Sequence, residues 1–330
     1  MGLAMALSFG VVWAWVAAMP LAFLDPEYAY WRAKQELLRQ CDLGEVLVLG
    51  DSRAAADVIP ALLPVKTTNL AVGGGEAIEA LAALTRALAC PERPKLVILS
   101  IDAGHFTRPD LFWERTVRFG FLDAAEIAAL RAVSRSLNDP SVYEARHTDG
   151  SPSRLRDWLF SVRFPAYYFA DLAKRGVFLR WGRNNRGLAD GIAARGHYYF
   201  GVEPGSDAIA MEGNLAAFEP LPVLAHYFDR VLSLLEERGI PAMFVPLPVN
   251  EATARAIRPA VRDGFTAWLA GYEARYPGFH VVGPVVSAWP NRWFGDGFSH
   301  LNPKGAERFS AMLGACLGGN IRTCDVRWAE

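Results

Sequence analysis

Ser52 and His300 are the two side chains whose types and surroundings best support covalent chemistry. Ser52 lies in the tetrapeptide GDSR, directly after the apolar run EVLVLG at 45–50, and His300 lies in WFGDGFSHLNPKG near the end of the chain. A serine hydroxyl becomes a nucleophile when a neighbouring base accepts its proton, and histidine titrates in the range that this transfer requires. The pair predicts a serine-dependent acyl-ester enzyme.

A histidine base needs a partner that fixes its tautomer and stabilises the imidazolium. Asp296 is the nearest carboxylate in the sequence. A backbone carbonyl or Asp102 is the alternative partner. The sequence therefore predicts a Ser-His-Asp triad with Asp296 as its acid.

The elements that must position these residues form an α/β pattern. Continuous apolar runs are typical of strands buried on both faces of a parallel sheet, and their alternation with helices indicates βαβ units. Ser52 then lies at the carboxyl end of the first strand, where open α/β sheets bind ligands. Strands are predicted at 45–50, 67–72, 95–101, 242–248 and 279–283, and helices at 76–89, 223–238, 251–276 and after Asn302, the N-cap of the last helix.

Residues 103–221 do not continue the alternation of strands and helices. They are rich in arginine and aromatic residues, as in RLRDWLFSVRFPAYYFADLAKRGVFLRWGRNN. This composition predicts a mostly helical insertion after the third strand. Such insertions build specificity in α/β folds, and an ordinary helical subdomain with arginine–acid pairs is the alternative.

Together these features resemble the SGNH (GDSL-like) hydrolase family, over about 45–105 and 222–315. The family carries its nucleophile after the first strand and an Asp-x-x-His block before the last helix. The GDS at 50–52 matches its first block, and Arg53 replaces the usual leucine. The strict spacing places Gly297 at the acid position, one residue after Asp296. The resemblance implies a three-layer α/β sandwich with a central parallel sheet, as in flavodoxin-like folds.

The family's oxyanion hole is only partly matched. In NLAVGGG, Asn69 precedes Gly74 by five residues, as in the block whose glycine amide binds the oxyanion. Asp102 occupies the place of an asparagine that donates to the oxyanion, and an ionised carboxylate only accepts hydrogen bonds. Losing one such donor costs about 100- to 1000-fold in rate. His105 or Arg53 is then the substitute donor, or the activity is slow or absent.

The N-terminal residues 1–24 contain no charged side chain. Their length and the absence of a basic start favour a retained transmembrane anchor, with a cleaved signal peptide or a buried helix as alternatives. A juxtamembrane helix is expected within 25–44, and the α/β domain within 45–330. Arg32, Lys34 and Arg39 would place the domain in the cytoplasm by a literal positive-inside count.

The cysteines favour export. Four are present, and they form two plausible pairs, Cys41 with Cys90 and Cys316 with Cys324, although buried free thiols are the alternative. The family resemblance implies that Cys41 and Cys90 lie at the same edge of the sheet, opposite the active site. We therefore expect a single-pass protein of the inner membrane with its domain on the periplasmic side.

Other function classes are disfavoured. The formal net charge of −1 gives no electrostatic basis for binding nucleic acid. The chain has no Cys-x-x-Cys, His-Glu-x-x-His or P-loop motif, so neither a metal nor a cofactor is predicted.

The resemblance extends to anchored bacterial proteins that pair with membrane-bound O-acyltransferases. It implies an acyl donor and a glycan acceptor, and leaves transfer and hydrolysis open because they differ only in which acceptor reaches the acyl-enzyme. Two alternatives remain, a catalytically weak glycan-binding accessory protein and a membrane lipase or thioesterase.

Overall fold

The computed structural model describes residues 2–109, 111–142 and 177–318, which form two compact units. The described residues of Met1–Gln35 and Asp110–Ile192 make up one unit, and those of Glu36–Pro109 and Ala193–Glu330 make up the other. The helices, in chain order, are α1 (Gly2–Ala18), α2 (Pro20–Phe23), α3 (Glu27–Gln40), α4 (Ser52–Asp57), α5 (Ala77–Leu88), α6 (Ala124–Ser136), α7 (Val177–Ala193), α8 (Pro222–Glu237), α9 (Glu251–Ala256), α10 (Pro259–Arg275) and α11 (Pro303–Leu317).

The second unit contains a five-stranded parallel sheet with the order β2-β1-β3-β4-β6, which confirms the predicted α/β fold with a central parallel sheet. A separate pair joins β5 to β7. The strands are β1 (Val46–Gly50), β2 (Thr67–Asn69), β3 (Leu96–Ser100), β4 (Ala242–Phe244), β5 (Val249–Asn250), β6 (Phe279–Val281) and β7 (Ala288–Trp289).

Helices flank this sheet because its strands alternate their side chains between two apolar layers. Val48 and Met243 belong to a core that also contains Phe309 of α11. The next residue of β4, Phe244, instead contacts Phe228 of α8 and Phe265 of α10. Neighbouring residues of one strand thus pack against different helices, as expected for a strand buried on both faces.

Prolines explain where two predicted elements end early. The strand predicted at 242–248 stops at Phe244, because Pro246 and Pro248 have no amide hydrogen to continue the ladder. The helix predicted at 251–276 is two helices, since Pro259 disfavours a helical conformation at Arg258, which is extended with φ −71° and ψ 148°.

The N-terminal residues predicted as one span form two helices. Helix α1 ends at Ala18, and α2 begins at Pro20 after Met19, which has the non-helical angles φ −119° and ψ 56°. Pro20 cannot donate to the preceding turn, so the hydrogen-bond ladder breaks there. Within the described ranges, no helix is long and apolar enough to cross a membrane. The helix expected within 25–44 is present as α3.

The insertion predicted at 103–221 divides between the two units. Its described residues up to Ile192 include α6 and α7 and are largely helical, as predicted; residues 143–176 lie outside the described part. The later residues belong to the sheet unit. The Asn69 amide donates to the carbonyl of Arg195 at 2.9 Å, and the Tyr198 amide donates to the carbonyl of Ala55 at 3.1 Å. The described residues of 110–192 therefore belong to the first unit, and residues 103–109 and 193–221 belong to the unit that contains the sheet.

Cys41 and Cys90 form a disulfide with a Cα–Cα distance of 5.5 Å, which confirms the predicted pair. Cys316 is also disulfide-bonded, and Cys324, its predicted partner, lies outside the described residues. The alternative of four free thiols is wrong.

Candidate active site

The turn after β1 presents Ser52. Gly50 has φ +156°, and a Cβ there would lie 1.8 Å from the carbonyl oxygen of Ser100, so only glycine fits. Asp51 then caps α4, because its Oδ1 accepts from the amides of Arg53 at 2.9 Å and Ala54 at 3.3 Å. Ser52 is the first residue of α4 and its side chain is partly exposed. Asp51 does not accept a hydrogen bond from the amide of Ser52.

The structure brings together the three residues of the predicted triad. His300 Nε2 lies 2.7 Å from Ser52 Oγ, and His300 Nδ1 lies 2.5 Å from Asp296 Oδ2. The serine hydroxyl can therefore donate to Nε2 while Nδ1–H donates to the carboxylate. Because His300 Nδ1 bonds to Asp296, neither of the two alternatives, Asp102 and a backbone carbonyl, orients the histidine in this structure.

The loop around His300 accommodates the longer spacing to Asp296. Asp296 Oδ1 accepts from the amides of Phe298 at 2.8 Å and His300 at 3.3 Å, which closes the turn with three intervening residues. Ser299 absorbs the extra residue in the left-handed region at φ +59°. The ring of Phe200 stacks on His300, with centroids 4.7 Å apart and planes at 20°. These contacts hold the imidazole in one orientation.

Asp296 is suited to stabilise a charged imidazole. Burial alone would raise the pKa of its carboxyl, but the hydrogen bond from His300 and its charge outweigh burial and lower that pKa. The carboxylate therefore stays ionised at neutral pH.

Gly74 lies in the loop between β2 and α5. The Val72 amide donates to the carbonyl of Gly50 at 3.1 Å, which ties this loop to the turn before Ser52. Gly74 has φ +67°, and its amide donates to no acceptor among the described residues. Asn69 supports the arrangement, because its Nδ2 donates to the carbonyl of Ala54 at 2.7 Å.

Asp102 has a different environment from that of an oxyanion donor. Its Oδ1 accepts from the amides of Gly104 at 2.6 Å and His105 at 3.1 Å, and its Oδ2 lies 2.6 Å from His105 Nδ1. Its own amide donates to Asp51 Oδ2 at 2.8 Å. The carboxylate thus organises the turn after β3 and joins it to the turn after β1.

Arg53 is the cation of a buried ion-pair cluster. Its Nη2 lies 2.5 Å from Glu212 Oε1 and 3.4 Å from Asp102 Oδ2, and the residue is only 4% exposed. The guanidinium, which the sequence suggested as an oxyanion donor, is thus ion-paired with these carboxylates. Glu212 comes from the part of the insertion that returns to the sheet.

Burial and charge act in opposite directions on this cluster. Burial lowers the pKa of His105, but the negative charges of Asp102 and Asp51 outweigh it and raise that pKa to about 9. His105 and Arg53 in turn outweigh the effect of burial on Asp102 and lower its pKa. Burial raises the pKa values of Asp51 and Glu212. The pairs Asp102–His105 and Asp102–Arg53 are therefore the ionised core of the cluster.

Among the described residues, one group of three side chains could in principle bind a metal ion, and it belongs to this cluster. Ligand atoms of Asp51, Asp102 and His105 all lie within 4.8 Å of one another. The charge of Arg53, 3.4 Å from Asp102, opposes a cation there, and His105 Nδ1 already bonds to Asp102. Ion pairing explains the donor set without a metal.

Three residues of the site were not found from the sequence. Glu212 and Phe200 lie in the insertion, and nothing in their local sequence connects them to Ser52 or His300. Asp57 had a usable signal, because it is an acid within the apolar run AAADVIP that follows the nucleophile. Glu212 pairs with Arg53, Phe200 stacks on His300, and Asp57 Oδ1 accepts from the amide of Leu301, the residue after His300.

Scans against known protein families found no match, and searches of curated proteins and of solved structures likewise found none.

Proposed function

We propose that this protein is a serine-dependent acyl-ester enzyme in which Ser52 is the nucleophile, His300 the base and Asp296 the acid partner. The observation that carries the proposal is the continuous chain of contacts from Ser52 Oγ to His300 Nε2, and from His300 Nδ1 to Asp296. Its position at the carboxyl end of β1 adds support, because parallel sheets bind their ligands there.

In this mechanism, His300 Nε2 accepts the Ser52 proton as Oγ attacks the acyl carbonyl. Negative charge develops on the carbonyl oxygen, and the amides of Ser52 and Gly74 donate to it. His300 returns the proton to the leaving group, which departs and leaves an acyl-serine. A sugar hydroxyl or water then loses its proton to His300 and attacks the acyl-enzyme, and Ser52 recovers that proton. Asp296 stabilises the imidazolium in both halves.

His105 is the remaining candidate for a third oxyanion donor. Asp102 accepts hydrogen bonds, and Arg53 is held by Glu212 and Asp102. His105 Nδ1 bonds to Asp102, and no described residue accepts from its Nε2. We expect turnover below that of an enzyme with a full set of donors if Nε2 does not reach the oxyanion.

For the substrate, we propose an acyl group carried to or from a cell-envelope glycan, with a membrane-bound O-acyltransferase as partner. This part depends on the resemblance to anchored SGNH proteins. The Cys41–Cys90 disulfide supports an oxidising compartment, since such bonds persist mainly outside the cytoplasm.

We also propose attachment to the inner membrane through the N-terminal residues. Helix α1 has no charged residue, and large apolar side chains such as Leu3, Leu7 and Val11 are exposed on it. A lipid environment would cover these side chains. Retention in carbonate-washed membranes, and release after deletion of residues 1–24, would support the attachment; recovery of the full chain in the soluble fraction would refute it.

An accessory glycan-binding role is the second candidate. The carboxylate of Asp102 favours it, because this position offers the oxyanion no donor side chain.

A fluorophosphonate probe distinguishes the two candidates. The purified protein should react at Ser52 and hydrolyse a p-nitrophenyl ester, and Ser52→Ala should lose both reactions while keeping its stability. Ser233→Ala, which alters a partly exposed serine of α8 outside the site, is the matched control and should react normally. Absence of labelling in a folded protein, under conditions that label another serine hydrolase, would rule out the enzyme and leave the binding role.

A further inference from the structure

We propose that Asp57 is a positioning residue that holds the His300 loop in register with Ser52. The inference depends on the proposed function, because it concerns the alignment of that triad. Asp57 is the last residue of α4, whose first residue is Ser52. Its Oδ1 accepts from the amide of Leu301, the residue after His300, at 2.9 Å. One short helix therefore carries the nucleophile at its start and binds the base's loop at its end.

The carboxyl end of α4 is itself fixed by α11. Ser310 Oγ donates to the carbonyl of Asp57 at 3.0 Å and accepts from the amide of Ile59 at 2.8 Å. Asp57 and Ser310 are both 0% exposed. Because the backbone of Asp57 is held from one side, its carboxyl group has a defined position from which to bind the Leu301 amide.

The other contacts of the loop do not replace this bond. The Gly295 amide donates to the carbonyl of His300 at 2.9 Å, and Asp296 binds the loop from within. Those bonds shape the loop locally, whereas the bond to Asp57 joins its backbone to the helix that carries Ser52. Leu301 and Ala54 of α4 also belong to one apolar core, but such packing is not directional and does not fix the loop's register as a hydrogen bond does. Without that hydrogen bond, the loop can keep its shape and still shift slightly relative to the nucleophile. A displacement of about 1 Å can lower a rate about 100-fold.

The environment of Asp57 favours its neutral form. Burial raises the pKa of the carboxyl well above its ordinary value, although the Leu301 amide and the charge of Arg53 act in the opposite direction. Asp51 and Asp296 are the acids whose charges add to the increase. Oδ2 is buried and has no hydrogen-bond partner among the described residues. An amide side chain, which keeps a carbonyl oxygen for Leu301, is therefore a close replacement.

Three variants of the full chain test the inference. Asp57→Asn keeps the acceptor and Asp57→Ala removes it. Asp123→Ala is the control for lost stability, because it removes an aspartate that caps α6 and accepts from the Glu126 amide at 2.8 Å. We expect kcat for a p-nitrophenyl ester to fall about 100-fold in Asp57→Ala with KM nearly unchanged. Asp57→Asn should stay within about threefold of the wild type, and Asp123→Ala should lower the melting temperature while keeping kcat.

Hydrogen exchange at the Leu301 amide supplies a readout that does not depend on turnover. This amide should be protected in the wild type and Asp57→Asn, and should exchange faster in Asp57→Ala. A folded Asp57→Ala with normal kcat, or an equal loss of kcat in Asp123→Ala, would overturn the inference.

If Asp57→Ala does not fold, Asp57→Asn decides the matter. Retained kcat with a protected Leu301 amide supports the inference, whereas lost kcat with that amide still protected contradicts it. Failure of the proposed function is distinguishable, because then the wild type itself would neither be labelled at Ser52 nor turn over ester.

Discussion

Replacing Asp296 by asparagine tests the acid of the triad with little change in shape. Asp296 Oδ1 accepts from the amides of Phe298 and His300, and the amide oxygen of asparagine can keep both bonds. Only Oδ2, which lies 2.5 Å from His300 Nδ1, becomes an N–H donor. Nδ1 must then accept, so the neutral imidazole carries its proton on Nε2 and cannot accept the proton of Ser52.

We expect Asp296→Asn to lower kcat about 10⁴-fold, which corresponds to about 5.5 kcal/mol of lost transition-state stabilisation. Initial rates with a p-nitrophenyl ester and the rate of fluorophosphonate labelling at Ser52 measure the effect. Asp102→Asn is the comparison, because Asp102 organises a turn and does not contact His300. A loss below about tenfold in Asp296→Asn, or a larger loss of kcat in a stably folded Asp102→Asn, would refute the assignment.

Three further predictions concern stability. Replacing Cys41 and Cys90 together by alanine should lower the free energy of unfolding by about 4 kcal/mol, because the disulfide closes a loop with a sequence separation of 49. Urea titration measures this change, and a loss below about 1 kcal/mol would contradict the prediction. Arg53→Met should cost about 3–5 kcal/mol, because it removes the cation that the two buried carboxyl groups of Asp102 and Glu212 share, and Glu212→Gln in the same chain should recover part of the loss. The pKa of His105 is raised from 6.5 to about 9 in the folded protein. Protonated His105 therefore adds to the free energy of unfolding, fully below about pH 6.5, and this contribution is lost as the pH rises through 9. Unfolding free energies should show this decline in the wild type and not in His105→Gln.

Local patterns in the sequence were sufficient to predict the sheet and the pairing of Ser52 with His300. The apolar runs before Ser52 and Asp102 predict buried parallel strands, and parallel strands place their carboxyl ends at one edge. Asn302 and Pro303 likewise predict the start of α11, where the Asn302 side chain accepts from the Gly305 amide at 3.1 Å. These predictions succeed because burial, periodicity and capping depend on neighbouring residues.

The remaining properties of the site depend on contacts between residues distant in the chain. Whether Arg53 is a free donor or part of an ion pair is decided by Glu212, which is 159 positions away. The partner of His300 is decided by the closed turn around Ser299, since the spacing alone left Asp296, Asp102 and a carbonyl as candidates. Asp57 acquires its role from Leu301, 244 positions away. The sequence by itself determined the fold class and the serine–histidine pair, because these follow from local pattern. Only the tertiary structure decided which charges are paired and which acid faces the histidine, because those depend on distances that folding creates.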